Sequence, residues 1–194
     1  MTSAKEPKMK LKICLVGEAA VGKTSLIRRF VDDAFEDRYI ATLGAKVIRR
    51  ELRVRMPDSG KKIHTILTVW DILGHGGFRD IVKDSYFRGA QGILAVCDVT
   101  RPLTMAQLEG WKHSVWENAG EIPAYVLANK ADLAEENRLE QDDLEAFCEG
   151  WGCPYLFTSA KTGRGVDEAF RGLTGSIVEA QRRDSEALAH KAPA

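Results

Sequence analysis

The chain has 194 residues, 44% hydrophobic and 29% charged, which is ample for one domain with a real core and short for two. Its 28 Lys and Arg balance 28 Asp and Glu, so no global field draws it to nucleic acid or to an anionic membrane, and binding must come from local sites. No run approaches about eighteen consecutive apolar residues, and Cys14, Cys97, Cys148 and Cys153 form no Cys-x-x-Cys pair; a reduced, cytoplasmic chain without a spanning helix is expected.

Residues 1–9 read as a short N-terminal extension, with neither the apolar stretch of a signal peptide nor a glycine at position two. Leu11, Ile13, Leu15 and Val16, with Cys14 among them, predict a buried parallel strand, and Leu26, Ile27, Phe30 and Val31 recur at helical spacing. Val47 to Met56 and Ile63 to Trp70 predict a hairpin around the turn residues Pro57 to Lys61. Strands and helices then alternate: strand Gly92 to Val99, helix Thr104 to Asn118, strand Pro123 to Ala128, helix Gln141 to Glu149, strand Pro154 to Thr158 and helix Val166 to Arg182. This order predicts an α/β three-layer sandwich over residues 10–180, a six-stranded, mostly parallel sheet with one antiparallel strand and helices on both faces. Trp111, Trp116 and Trp151 are expected to pack against the sheet. Residues 181–194 read as the end of the last helix and a tail, and the closing His190 to Ala194 offers no cysteine for prenylation, so no direct lipid anchor is expected there.

Between the first strand and helix stands Gly17-Glu18-Ala19-Ala20-Val21-Gly22-Lys23-Thr24, which fits Gly-x4-Gly-Lys-Ser/Thr. Glycines let backbone N–H groups wrap closely around a phosphate, and the helix that begins at Lys23, Thr24 and Ser25 adds the partial positive charge of its N-terminus. Lys23 is placed to reach the outer phosphates and Thr24 to offer a hydroxyl to Mg²⁺, an ion that takes one or two protein oxygens besides phosphates and water. The pattern predicts a bound nucleotide on a P-loop NTPase sandwich, an ordinary Gly-rich strand-to-helix turn being the alternative.

Ligands of such sheets lie at the carboxyl ends of the strands. Asp71 follows the strand ending at Trp70, in Asp71-Ile72-Leu73-Gly74; its carboxylate either holds a water of Mg²⁺ or caps a turn, and Gly74 allows a backbone N–H to approach the terminal phosphate. Asn129-Lys130-Ala131-Asp132 follows the next strand but one, and a carboxylate there can accept both N–H bonds of the N1 and N2 edge of guanine, a donor pair that adenine lacks. Ser159, Ala160 and Lys161 follow the last strand and can place a backbone N–H on the guanine carbonyl.

With these motifs in order, the chain resembles the small GTPases of the Ras superfamily, most of all the Rab branch, over residues 10 to 180. The resemblance implies that Phe35 to Gly44 form a first switch, in which Thr42 closes on Mg²⁺ and the terminal phosphate while Phe35 lies against the guanine ring; a plain loop threonine and a core phenylalanine are the alternatives. Ser85 to Ala90 resembles the end of the second switch. The implied metal set is Thr24, Thr42 and Asp71, and the implied catalytic set is Lys23, Thr42 and His75.

Two departures bear on turnover and a third on effectors. Relatives usually read Trp-Asp-Thr-Ala-Gly-Gln-Glu where this chain has Trp70-Asp71-Ile72-Leu73-Gly74-His75-Gly76, so His75 replaces the water-orienting glutamine. It either orients water, as the resemblance of Asp-x-x-Gly-His to the translational GTPases implies, or is passive. Ala19 and Ala20 stand where glycine is common, and their methyl groups near the terminal phosphate predict slow hydrolysis. Of the aromatic surface by which Rabs read effectors, Trp70 and Tyr86 match and Val47 replaces a phenylalanine. The expected activity is a monomeric molecular switch that cycles between GTP and GDP with Mg²⁺ and meets effectors, exchange factors or activators through its switches; the alternative is a guanine-nucleotide-dependent scaffold that hardly hydrolyses.

Overall fold

The computed structural model describes residues 8–35, 45–55, 60, 62–74, 85–136 and 139–191. Strand β1 (Met9–Val16) leads into α1 (Lys23–Asp32), followed by the hairpin strands β2 (Ala45–Arg55) and β3 (Lys62–Ile72). Then come β4 (Gly92–Asp98), the short α2 (Leu103–Ala106), α3 (Leu108–Ala119), β5 (Ala124–Asn129), a 3₁₀ turn (Ala134–Glu136), α4 (Gln141–Trp151), β6 (Tyr155–Phe157) and α5 (Val166–Lys191).

The six strands form one sheet in the order β2-β3-β1-β4-β5-β6. Only the β2–β3 pair is antiparallel, with Ala45 opposite Ile72 and Arg55 opposite Lys62. Strands β1, β3, β4, β5 and β6 run parallel to one another, so the loops after them leave along a single edge. The predicted three-layer sandwich is the observed one.

Every residue of β4, Gly-Ile-Leu-Ala-Val-Cys-Asp, is buried, as expected of a central parallel strand covered on both faces. Alternation in β1 splits the core: Leu11, Ile13 and Leu15 pack with Phe30 of α1 and Phe170 and Leu173 of α5, whereas Cys14 and Val16 pack with Trp111 of α3 and Leu144 of α4. The rings of Phe30 and Phe170 stack with centroids 3.9 Å apart. Each such buried side chain contributes roughly 1.5–3 kcal/mol, which makes the strand ends a firm platform for the loops. Trp111 is fully enclosed, Trp151 nearly so, and Trp116 packs at the margin of the same cluster, in line with the packing role read for all three.

Most bounds shift by one or two residues, and two helices depart further from their predicted extents. The helix expected over Thr104 to Asn118 is two pieces joined at Gln107; Leu103 is 78% exposed while Leu108, Trp111 and Val115 are buried, so the apolar stripe that fixes the helix belongs to the second piece alone. The last helix continues past Arg182 to Lys191, where Arg182 and Arg183 pair with Glu186 and Glu179 one turn away, a spacing that favours continuation. Among the described residues no helix is long and apolar enough to cross a membrane.

Candidate nucleotide site

The loop after β1 can be followed carbonyl by carbonyl. The ammonium of Lys23 donates to the carbonyls of Gly17 at 2.7 Å and Glu18 at 2.8 Å. The carbonyl of Ala19 accepts from Nη2 of Arg101 at 3.1 Å, that of Val21 from Nδ2 of Asn129 at 2.8 Å, and that of Gly22 from the Leu26 N–H at 2.9 Å. Because a trans peptide points its N–H opposite its C=O, a loop whose carbonyls are tied this way presents N–H groups on its other side, the arrangement that binds anions. Val21 is buried; Ala20, on the rim, is exposed.

Gly22 sits at φ 102° immediately before α1, and a Cβ there would lie 2.3 Å from Nδ2 of Asn129. Both facts require glycine. Ala20 has φ 61° without being glycine, a left-handed conformation that costs an alanine about 1–2 kcal/mol. The loop is therefore held in shape by its neighbours.

Lys23 is 6% exposed. Burial lowers its pKa to about 8, against the opposing pull of Asp71 and Glu18. Gly74, at the end of the segment after β3, is close by: a Cβ on it would meet the Lys23 ammonium at 2.2 Å and the Glu18 carbonyl at 2.4 Å. From the end of β3 itself Asp71, 1% exposed, accepts a 2.5 Å hydrogen bond from the Thr24 hydroxyl on its Oδ2. A hydroxyl and a carboxylate side by side at the mouth of a phosphate cradle are the hard oxygen donors that suit Mg²⁺. Ser25, half-buried, occupies the first turn of α1 next to Thr24.

The base-facing loops interlock with this cradle. Asn129, 1% exposed, donates to Val21 as above while its Oδ1 accepts from the Thr158 hydroxyl at 3.3 Å, joining three loops through one amide. Lys130 adopts φ 67° and places its ammonium 2.6 Å from Oδ2 of Asp98. Asp132 accepts a 2.5 Å bond on Oδ1 from the Ser159 hydroxyl. Ala160 is buried and Lys161 exposed. Their carbonyls accept from Nε and Nη2 of Arg29 at 2.8 and 2.7 Å.

Phe35 packs half-buried against the cluster of α1 and α5. Thr42 and His75 lie outside the described residues, as do residues 36–44, most of the segment read as the first switch. Trp70 and Tyr86 meet edge to face at 5.7 Å, Lys12 lies over the Trp70 ring at 4.2 Å, and Val47, opposite Trp70 in the ladder, is 50% exposed.

Sequence reasoning missed the residues that brace these loops. Asp98, fully buried at the end of β4, accepts from the backbone N–H and hydroxyl of Thr100 on one oxygen and from Arg101 and Lys130 on the other. Burial pushes its pKa up, but the bonds from Lys130, Thr100 and Arg101 outweigh that and hold it below the usual carboxylate value. Its one sequence signal was an aspartate closing an apolar strand at the ligand-bearing edge. Arg29 carried none, because an arginine on an amphipathic helix reads as solvated. Glu18, a variable position of the motif, accepts from the Trp111 indole N–H at 3.1 Å, so that tryptophan is core and loop support together.

Comparison with known proteins agrees with this geometry. The Ras family profile matches residues 12–179. Rab-13 of Canis lupus familiaris is 35% identical over 184 residues, 94% of this chain and 87% of that protein. RABD2c of Arabidopsis thaliana is 35% identical over 168 residues, 86% of this chain and 79% of the relative, and Rab-1D of Dictyostelium discoideum is 34% identical over 178 residues, 91% and 84% respectively. With a phosphate cradle, a guanine-type loop and a family match along nearly its whole length, the chain belongs to the Ras family as a Rab-related small GTP-binding switch protein, a GTPase.

Proposed function

We propose that this protein binds GDP and GTP with Mg²⁺ through the named loops and hydrolyses GTP slowly. The observation that carries the reading is the 2.5 Å contact between Thr24 and Asp71, residues 47 apart in sequence, beside the buried Lys23. Thr24 and Asp71 hold the ion, with Thr42 joining from the first switch, and the ion supplies neutralising charge to the outer phosphates. The N–H groups of Ala20, Val21, Gly22, Lys23, Thr24 and Ser25 take the phosphates, and Lys23 balances their charge. Asp132 accepts the N1 and N2 donors of guanine; Asn129 and Ser159 keep that loop in register, Ala160 and Lys161 offer backbone to the base carbonyl, and the stem of Lys130 and the ring of Phe35 flank it.

His75 orients the attacking water, with an imidazole nitrogen accepting a proton or hydrogen bond where relatives use a glutamine amide. The methyl groups of Ala19 and Ala20 narrow the space at the terminal phosphate and slow turnover. A partner reads the GTP form over Val47, Trp70 and Tyr86, where a smaller side chain replaces an aromatic one and changes the shape presented to effectors; the protein acts as a monomer in the cytoplasm.

Competition binding on purified protein tests the site: GDP and GTP are expected to displace a fluorescent guanine nucleotide at least about a hundredfold better than ADP and ATP, and equal displacement ends the proposal. For turnover, single-round GTP hydrolysis should fall about tenfold or more in His75→Ala; an unchanged rate removes His75 from the mechanism.

A further inference from the structure

The phosphate loop of this chain contains a contradiction that one neighbour resolves. Ala20 sits at φ 61°, a conformation disfavoured about tenfold in population for an alanine relative to the right-handed region. Nothing within the loop supplies the difference: the ammonium of Lys23 is on the carbonyls of Gly17 and Glu18, and Asn129 is on Val21. Among the described residues, the peptide joining Ala19 to Ala20 is held by Arg101 alone, Nη2 lying 3.1 Å from the Ala19 carbonyl.

Arg101 is itself fixed. Its Nε donates to Oδ2 of Asp98 at 2.9 Å, and its backbone N–H donates to the Asp98 carbonyl at 2.9 Å. Asp98 has no solvent exposure. The other partner on Oδ2 is Lys130, at 2.6 Å. One buried carboxylate therefore braces the base-facing loop through Lys130 and the phosphate loop through Arg101. A guanidinium suits this place because its planar fork spans two acceptors at once, which an ammonium on a flexible stem does poorly.

We propose that Arg101, seated on Asp98, is a positioning residue that holds the Ala19–Ala20 peptide in its phosphate-binding orientation and so sets how long nucleotide is retained. By holding the Ala19 carbonyl outward it turns the Ala20 N–H to the opposite side of the peptide, toward the phosphates. Release of the guanidinium lets Ala20 relax toward negative φ, and that N–H is lost to the anion. With glycine at position 20 the left-handed conformation has no such cost, and the same release does little. The dependence on residue 20 distinguishes a latch on the loop from general support of the fold. The inference rests on the reading of this loop as the nucleotide cradle.

The test is a two-by-two set: wild type, Arg101→Met, Ala20→Gly and the double variant. Arg101 is partly exposed, with 44% of its side chain accessible, so methionine leaves the core intact. Release of N-methylanthraniloyl-GDP into excess GDP is expected to quicken about tenfold in Arg101→Met and by less than about threefold when the same change is made on Ala20→Gly. Without nucleotide, the three-bond coupling between the N–H and Hα of Ala20, which reports φ, should shift in Arg101→Met while the couplings of β1 stay unchanged. Asp98→Asn, which also frees Lys130, should quicken release at least as much as Arg101→Met, and the Asp98→Asn, Arg101→Met pair should be no worse than Asp98→Asn. Wild-type release and a wild-type Ala20 coupling in Arg101→Met, or equal acceleration with alanine and with glycine at position 20, overturns the proposal. If wild type shows no guanine preference while Arg101→Met still shifts the Ala20 coupling, the functional reading falls and the latch stands.

Discussion

The phosphate loop and the base-facing loops are built on opposite plans. The phosphate loop is one continuous segment, Gly17 to Thr24, whose chemistry is local but whose shape is imposed from outside: Asn129 on Val21 and Arg101 on Ala19. The base side is scattered over two loops, after β5 and after β6, and is assembled by side chains that bridge them, Ser159 to Asp132 and Arg29 to Ala160 and Lys161. A phosphate is gripped by backbone N–H groups, so its site needs a defined curve of chain; a base edge is read by one carboxylate, so its site needs only that carboxylate aimed correctly. Asn129 is where the two plans meet, and changes at that junction should cost most.

Gly22→Ala is therefore expected to have the largest effect. Its Cβ would fall 2.3 Å from the Asn129 amide at a φ of 102°, so the alanine either pushes Asn129 off the Val21 carbonyl or moves the start of α1. Backbone strain and the stranded carbonyl together should lower stability by about 3 kcal/mol and abolish nucleotide retention. Denaturant unfolding with a GDP-release assay measures both; near wild-type values would mean that phosphate and base sides are not joined through this amide.

Arg29→Met should separate the two regions. The guanidinium reaches from α1 to the carbonyls of Ala160 and Lys161, so its loss leaves the phosphate loop's own bonds untouched and frees the loop after β6. Two bonds from a largely buried guanidinium to those carbonyls, with two more to Asp33 at the end of α1, predict a stability loss of about 2–3 kcal/mol and GDP release about tenfold faster. Affinity for inorganic pyrophosphate should stay at the wild-type value. A parallel fall in pyrophosphate affinity would show that α1, rather than the base loop, had moved.

The contrast also explains what could be read in advance. The phosphate loop, Asp71, Gly74 and Asn129 to Asp132 were legible because each is a short motif at a strand's carboxyl end, and the alternation of apolar runs fixed the sheet that aligns those ends. Asp98, Arg101 and Arg29 were not: each acts on residues 82 to 132 positions away or through a buried carboxylate, and long-range bonds leave no periodic signal. The split of the α2–α3 region at Gln107 escaped for a related reason, since Leu103 joins the helical pattern in sequence yet is solvent-exposed in the fold. Position 20 was noticed as an alanine among expected glycines, but its left-handed backbone, and so its need of a brace, appears only in three dimensions.

The smallest expected effect concerns Lys23, the side chain on which the phosphate loop closes. Burial lowers its pKa to about 8, while Asp71 and Glu18 pull the other way. Without nucleotide it has therefore lost its proton in about half of the molecules by pH 8, well below an ordinary lysine. Phosphate oxygens beside the ammonium favour the charged form and raise that pKa, so binding takes up a proton wherever the free site has shed one. Affinity for GDP should then be level below about pH 7, fall about twofold between pH 7 and 8, and decline by about tenfold per unit above 9 until the bound-state pKa is reached. Titration calorimetry in two buffers of different ionisation enthalpy at pH 8.5 should register more than half a proton taken up; in Lys23→Met, any residual binding should take up none from this source. In free protein the sign for stability is the reverse: an unfolded lysine keeps its proton to about pH 10.4, so between pH 8 and 10 the folded state holds fewer protons, and Lys23's contribution to folding becomes more favourable as pH rises. Opposite slopes for affinity and stability over one pH window place a single buried ammonium at the phosphate side, and parallel slopes would assign the titration to another group.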